Sequence, residues 1–199
     1  MGKRKVILVR HGQSEMNRLH TFAGRNDTPL TRDGLKQIKK SSKFIKKRYG
    51  GDIIFTSPIK RALISANIIQ SKIKCSLKLD ARLVETDFGK WEGKSPEELS
   101  KLKEWEIYSK DPFHFTFPEG ESPQDVKNRI LDFKHMILED SNWKTAIIVS
   151  HYTPLVFYIL DVFGKTDFPK AAFKLTHGGI SVIEYKDNFE YIGCLNFTP

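Results

Sequence analysis

Three short apolar runs in this chain end on residues that can handle a phosphate. Val6-Ile-Leu-Val9 runs into Arg10-His11-Gly12, and Ile53-Ile-Phe55 into Thr56-Ser57-Pro58, with Arg61 just beyond. Ala146-Ile-Ile-Val149 runs into Ser150-His151. Guanidinium groups give a tetrahedral phosphate dianion permanent, bidentate contacts. A neutral imidazole attacks phosphorus when its other nitrogen is held as a donor, commonly by a backbone carbonyl. Gly12 leaves a ligand room to approach the backbone beside His11. Either histidine alone is equally a structural residue at a strand end. Two of them, with two arginines at equivalent positions, favour one shared site.

The elements that must bring these residues together follow from periodicity. The three runs read as strands buried on both faces, as parallel strands are. In open α/β sheets, ligands bind beyond the carboxyl ends of such strands, so the histidines and arginines should converge on one crevice. Helix starts follow each run. Thr31 caps a helix whose apolar stripe is Leu35, Ile38, Ile45 and Tyr49, with Ser42 between. Ser57-Pro58 and Thr153-Pro154 each place a capping residue before a proline at the first helical position, and Gly164 closes the last of these helices. Their N-termini would point positive dipole ends at the crevice. Val126, Ile130, Phe133 and Ile137 make another stripe, opened by Ser122-Pro-Gln-Asp125, and Ser95-Pro-Glu-Glu98 is a standard capping box.

Ile180–Tyr185 and Phe189–Leu195 flank Lys186-Asp187-Asn188 as a hairpin. The expected fold is α/β, a three-layer sandwich. Its central sheet is mainly parallel with an antiparallel C-terminal edge, and helices cover both faces. Between Glu85 and Gly120 the pattern changes: Phe88, Trp91, Trp105, Tyr108, Phe113, Phe115 and Phe117 sit among charges and prolines. This reads as a small inserted cap, at about 86–120 of one domain spanning 1–199.

Composition narrows the partners. The formal charge of +9 favours anions: nucleic acid, a membrane surface or a small phosphorylated molecule. Lys36, Lys39, Lys40, Lys43, Lys46, Lys47 and Arg48 occupy the polar side of the first long helix and read as a solvated face; no nucleic-acid motif accompanies them. Cys75 and Cys194 lack a paired spacing, which points to a reducing, cytoplasmic setting without a metal or redox motif. The N-terminal apolar run is too short for a leader, Val6 breaks the myristoylation pattern, and no segment is long enough to span a bilayer. An exposed edge strand leaves a homodimer open.

The ordered motifs resemble the histidine phosphatase superfamily, also called the phosphoglycerate mutase-like family. Arg10-His11-Gly12-Gln13-Ser14-Glu15-x-Asn17 is similar to its signature. The resemblance continues through Phe22-Ala-Gly24, Thr28-Pro-Leu-Thr31, Gly34 and Ser57-Pro58-x-x-Arg61-Ala62. It resumes at Leu83-x-Glu85, Phe88-Gly-x-Trp91-Glu92-Gly93 and Gly120-Glu-Ser122, and ends at Ser150-His151. It implies that His11 carries a phosphohistidine, that Arg10, Arg61 and His151 clamp the phosphoryl oxygens, and that Asn17 and the backbone near Gly24 complete the pocket. Glu85 would protonate the leaving oxygen and then activate water. Gln13 and Ser14 are candidate substrate contacts, Ser14 being equally suited to local hydrogen bonding.

The remaining acids and histidines weigh less. Glu92 is assigned to cap structure, and Glu121 to the N-terminus of the helix after it. His20 and His114 are placed near the mouth, His135 on an exposed helix face and His177 in a turn. None has metal-ligand spacing, and no cofactor is implied.

Three activities fit the resemblance. The first is a phosphomonoester hydrolase acting on a small phosphorylated metabolite. The second is a bisphosphoglycerate-dependent phosphoglycerate mutase, and the third a non-catalytic phospholigand-binding protein. The third would have been marked by loss of His11 or Glu85. Mutases of this family are typically longer, with a basic cap. Here the cap is short and aromatic, carries lysines without paired arginines, and Gln13 stands where mutases often have Glu. The hydrolase reading is therefore preferred. Pro118-Glu-Gly-Glu-Ser122 resembles the branch of broad-specificity and α-ribazole phosphatases.

Overall fold

The computed structural model describes residues 4–164, 173–187 and 189–199. Residues 1–3, part of the N-terminal segment in which a leader was sought, and Asn188 of the expected hairpin turn lie outside them. In chain order the elements are β1 (Arg4–Arg10), a one-turn α1 (Glu15–Arg18), α2 (Arg32–Arg48), β2 (Ile53–Thr56), α3 (Lys60–Ile73) and β3 (Ser76–Leu79). Then come α4 (Pro96–Leu99), α5 (Lys103–Lys110), α6 (Pro123–Glu139), β4 (Thr145–Ser150), α7 (Tyr152–Val162), β5 (Ile180–Lys186) and β6 (Phe189–Phe197).

The sheet runs β3-β2-β4-β1-β5-β6. Its first four strands are parallel, and β5 and β6 add on antiparallel at the β1 side. The apolar runs alternate between two cores. Val6, Leu8, Ala146 and Ile148 face α6 and α7, while Ile7, Val9, Ile147 and Val149 face α2 and α3. Each such isoleucine, fully removed from water, contributes roughly 1.5–3 kcal/mol. The α/β three-layer expectation holds, with helices on both faces. The lysines of α2 are exposed, as a solvated face requires. Among the described residues no helix is long and apolar enough to cross a membrane.

The expected capping boxes form at Ser95 and Ser122, and Thr31 caps α2 through the Gly34 N–H. Two other expected starts are displaced, for one physical reason. The N-cap of α3 is Ile59, not Ser57, and its first N–H, at Lys60, is accepted by Asp27 at 2.9 Å. The N-cap of α7 is His151, not Thr153, and its first N–H, at Tyr152, is accepted by Glu85 at 3.2 Å. Carboxylates remote in sequence do the work of a local cap.

β3 was not expected. It is an edge strand, mostly exposed, whose Leu77 alone packs on the core, so it lacks the apolar run that marks its neighbours. The stretch between Glu85 and Gly120 holds α4 and α5 and builds a third apolar cluster from Trp91, Leu99, Phe115 and Phe117. Phe88, Trp105 and Tyr108 pack against it. Phe22, from the loop after α1, joins the same cluster, with its ring centroid 5.0 Å from that of Phe88.

Candidate active site

β2, β4 and β1 are adjacent and parallel, so their carboxyl ends deliver Ser57, His151 and His11 to one place. His11 is anchored by its N–H to Ser150 O at 3.0 Å, and its ring centroid lies 5.0 Å from that of His151. Its Nδ1 lies 2.7 Å from the Gly12 carbonyl. That oxygen only accepts, so Nδ1 carries the proton and Nε2 the lone pair. The Arg61 Nε–H donates to Nε2 at 3.2 Å. Burial, then the charges of Arg61 and Arg10, hold the His11 pKa well below its ordinary value, so the imidazole is neutral.

Arg61 is 1% exposed. The loop carbonyls of Asn26 and Gly24 take its two Nη groups, at 2.9 and 2.5 Å. Gly24 has φ +45°, and a Cβ there would fall 2.0 Å from the Glu92 Oε1 that accepts the Arg25 N–H. A side chain there would be strained and would push Glu92 off the Arg25 N–H. Arg10 donates to Leu175 O at 2.6 Å and stacks over Tyr152 at 5.3 Å. His151 Nε2 lies 2.8 Å from Ser57 Oγ, and its pKa too is held well below ordinary, by burial and then by Arg61.

Glu85, 7% exposed, accepts the Thr86 N–H on one oxygen and the Tyr152 N–H on the other. Arg129 fixes the backbone behind it, donating to the carbonyls of Arg82, Val84 and Glu85. Above these groups lies a cavity of about 360 Å³. Arg10, His11, Asn17, Gly24, Arg61 and Glu85 line its floor, and Phe22, Phe88, Tyr108, Phe113 and Tyr152 its walls.

Among the described residues, four buried side-chain polar atoms have no hydrogen-bond partner: Arg10 Nε, Thr86 Oγ1, His151 Nδ1 and His177 Nε2. Each belongs to a residue that lines this cavity or flanks the His11 ring. Unpaired buried groups cost about 1–3 kcal/mol each. Their concentration around one imidazole is what an oxyanion would relieve. No group of three or more metal-ligating side chains occurs among the described residues.

Several expected contacts are placed otherwise. Ser14 is fully buried and caps α1, with its Oγ and N–H both directed to Asn17 Oδ1. Gln13 accepts from Thr31 Oγ1 at 3.0 Å. Neither lines the cavity, because both are spent on local hydrogen bonds. Asn17 does line it, its Oδ1 turned to Ser14. Gly12 makes room for protein, not ligand: a Cβ would meet Gly34 O at 2.4 Å, where α2 packs on the loop after β1. His20 lines the cavity, whereas His114 is exposed and pairs with Asp111 at 2.9 Å. Glu121 does more than favour a helix end. It accepts the Asp87 N–H and bridges Arg25 and Arg129 at 3.0 and 3.1 Å.

Sequence reasoning missed Arg25, Arg129, Thr86 and the inward position of His177. Arg129 sits beside the α6 stripe and reads as a surface residue. For His177 a signal exists: His177-Gly178 repeats the His11-Gly12 pair.

A family model of the histidine phosphatase superfamily (branch 1) matches residues 6–198. Phosphoserine phosphatase 1 of Hydrogenobacter thermophilus is 29% identical over 98% of this chain and 92% of its own length. Three mycobacterial relatives are 30% identical over 153 residues, and the chain spans 42% of their length. A phosphoserine phosphatase of Entamoeba histolytica, solved with 3-phosphoglyceric acid, superposes with a TM-score of 0.85 at 27% identity, covering 98% of both chains. A putative α-ribazole-5′-P phosphatase of Escherichia coli has the same fold, with a TM-score of 0.88 at 24% identity, covering 98% of this chain and 96% of its own.

Proposed function

The chain belongs to the histidine phosphatase superfamily, and from that premise we propose that it hydrolyses a phosphomonoester through a phosphohistidine on His11, without a metal ion. One observation carries the reading: a neutral His11 whose Nδ1 is tied to Gly12 O and whose Nε2 lone pair faces Arg61 in the floor of the cavity. Nε2 attacks phosphorus while the bond to the leaving oxygen breaks. Glu85 supplies the proton that the leaving alcohol takes up. Arg10, Arg61 and His151 hold the equatorial oxygens, where fixed positive charge and N–H dipoles lower the barrier. Glu85, now a carboxylate, removes a proton from water. The water oxygen bonds to phosphorus as the P–Nε2 bond breaks, which returns the lone pair to Nε2 and releases inorganic phosphate.

The walls speak to the substrate. Phe22, Phe88, Tyr108 and Phe113 suit a small phosphorylated metabolite with an apolar or ring-bearing body beside its phosphate. Phosphoserine and α-ribazole 5′-phosphate, named by the similar proteins, belong in the first panel. The two free thiols support a reducing, cytoplasmic setting. Exposed Phe189 and Tyr191 on the edge strand β6 support a homodimer.

The test is phosphate release from a panel of phosphomonoesters with chelator present, including 3-phosphoglycerate with and without its bisphosphate. Release from several members supports the hydrolase. Isomerisation of 3-phosphoglycerate with little release would make the protein a mutase instead.

A further inference from the structure

The turn that leads into β5 is stitched to the nucleophile's own backbone. The Gly178 N–H reaches the carbonyls of Arg10 and His11 at 3.0 and 3.3 Å, and the Arg10 N–H reaches Gly179 O at 3.2 Å. Gly178 has φ +72°, and a Cβ there would press on Gln37 of α2 at 2.9 Å, while Ser41 Oγ donates to its carbonyl. The turn is therefore fixed to the backbone of His11. It carries His177, whose ring centroid lies 5.6 Å from that of His11.

His177 Nε2 is buried and has no partner. If this ring served only to pack against His11, a phenyl group would do as well and would leave no polar atom unsatisfied. Burial and the charges of Arg10 and Arg61 take its pKa down to about 3, so the ring is neutral, with one N–H to give. A phosphoryl group in transfer spreads its charge over three equatorial oxygens, each able to accept more than one hydrogen bond. We infer that His177 is a third imidazole of the phosphoryl site, donating its Nε2–H to an oxygen of the group transferred to His11. The inference rests on the phosphohistidine reading above.

Two substitutions separate this role from packing. His177→Gln keeps an N–H at about the reach of Nε2, and His177→Phe keeps the ring without the donor. The Phe variant should lose about 10²-fold in kcat and a similar factor in orthovanadate affinity, the size of one lost oxyanion donor. The Gln variant should recover most of both. Equal activity of the two, or a Phe variant better than the Gln variant, would overturn the inference. A crystal structure of the unmodified protein with orthovanadate tests it without any variant. His177 Nε2 should lie about 3 Å from a vanadate oxygen, and a separation beyond about 4 Å would overturn it. Unmodified protein that releases no phosphate and takes no vanadate at His11 would remove the phosphohistidine reading and this inference together. An active protein indifferent to His177 would remove the inference alone.

Discussion

On the floor of the cavity, His11 and Arg61, with His151 packed against the His11 ring, are each held by at least one hydrogen bond from a strand end or loop. The roof is different: Phe22, Phe88, Tyr108 and Phe117 are held by ring packing, with centroids 4.8 to 6.5 Å apart. Directional contacts fix atoms to the fraction of an ångström that phosphoryl transfer needs. Apolar packing tolerates changes of shape at modest cost. The floor should therefore set the reaction and the roof the substrate, and substitutions in the two regions should fail in different ways.

The largest expected effect is at the nucleophile. His11→Ala should lower phosphate release at least about 10⁴-fold, and near-normal turnover would dismiss the covalent route. Arg61→Ala should cost about 10²- to 10³-fold in kcat. Arg61→Lys should restore little of it, because an ammonium cannot reach Gly24 O, Asn26 O and His11 Nε2 together. Glu85→Gln should slow the single-turnover burst of phosphoryl transfer from alcohol esters about 10²-fold while sparing the burst from a nitrophenyl ester, whose leaving group departs unprotonated. Equal slowing of both would place the acid elsewhere.

The floor also predicts a pH effect that the roof does not. His11, His151 and His177 have folded pKa values below the unfolded value of about 6.5. Below that value the unfolded chain binds protons first. Their contribution to stability is complete above about pH 6.5 and is lost as pH falls, for His177 down to about 3. Denaturant unfolding should show at least about 2 kcal/mol less stability at pH 5 than at pH 7, the share of His177 alone, with a shallower slope in His11→Ala. A flat profile would mean that these rings are not buried neutral. Smallest is the roof: Phe113→Ala should raise KM about tenfold for esters with an apolar body and leave kcat near its original value.

The same contrast explains what could be read from the sequence. β1, β2 and β4 are buried on both faces, so their apolar runs announce them, and the residues that follow them mark the crevice. β3 escapes because one packed leucine makes no pattern. The starts of α3 and α7 are misplaced because Asp27 and Glu85 cap them from 33 and 67 residues away, a partnership that no local spacing records. Gly12 and Gly34 are legible as glycines but not as each other's neighbours. The roof shows in its aromatic composition. Its recruitment of Phe22, and the clasp of Arg25 and Arg129 on Glu121, depend on the folded chain alone.

The most direct measurement is rapid-quench labelling with a phosphomonoester carrying radioactive phosphorus. The phosphohistidine account predicts a base-stable, acid-labile label that appears within a turnover and maps to the peptide containing His11. Steady phosphate release with no label on that peptide would contradict it.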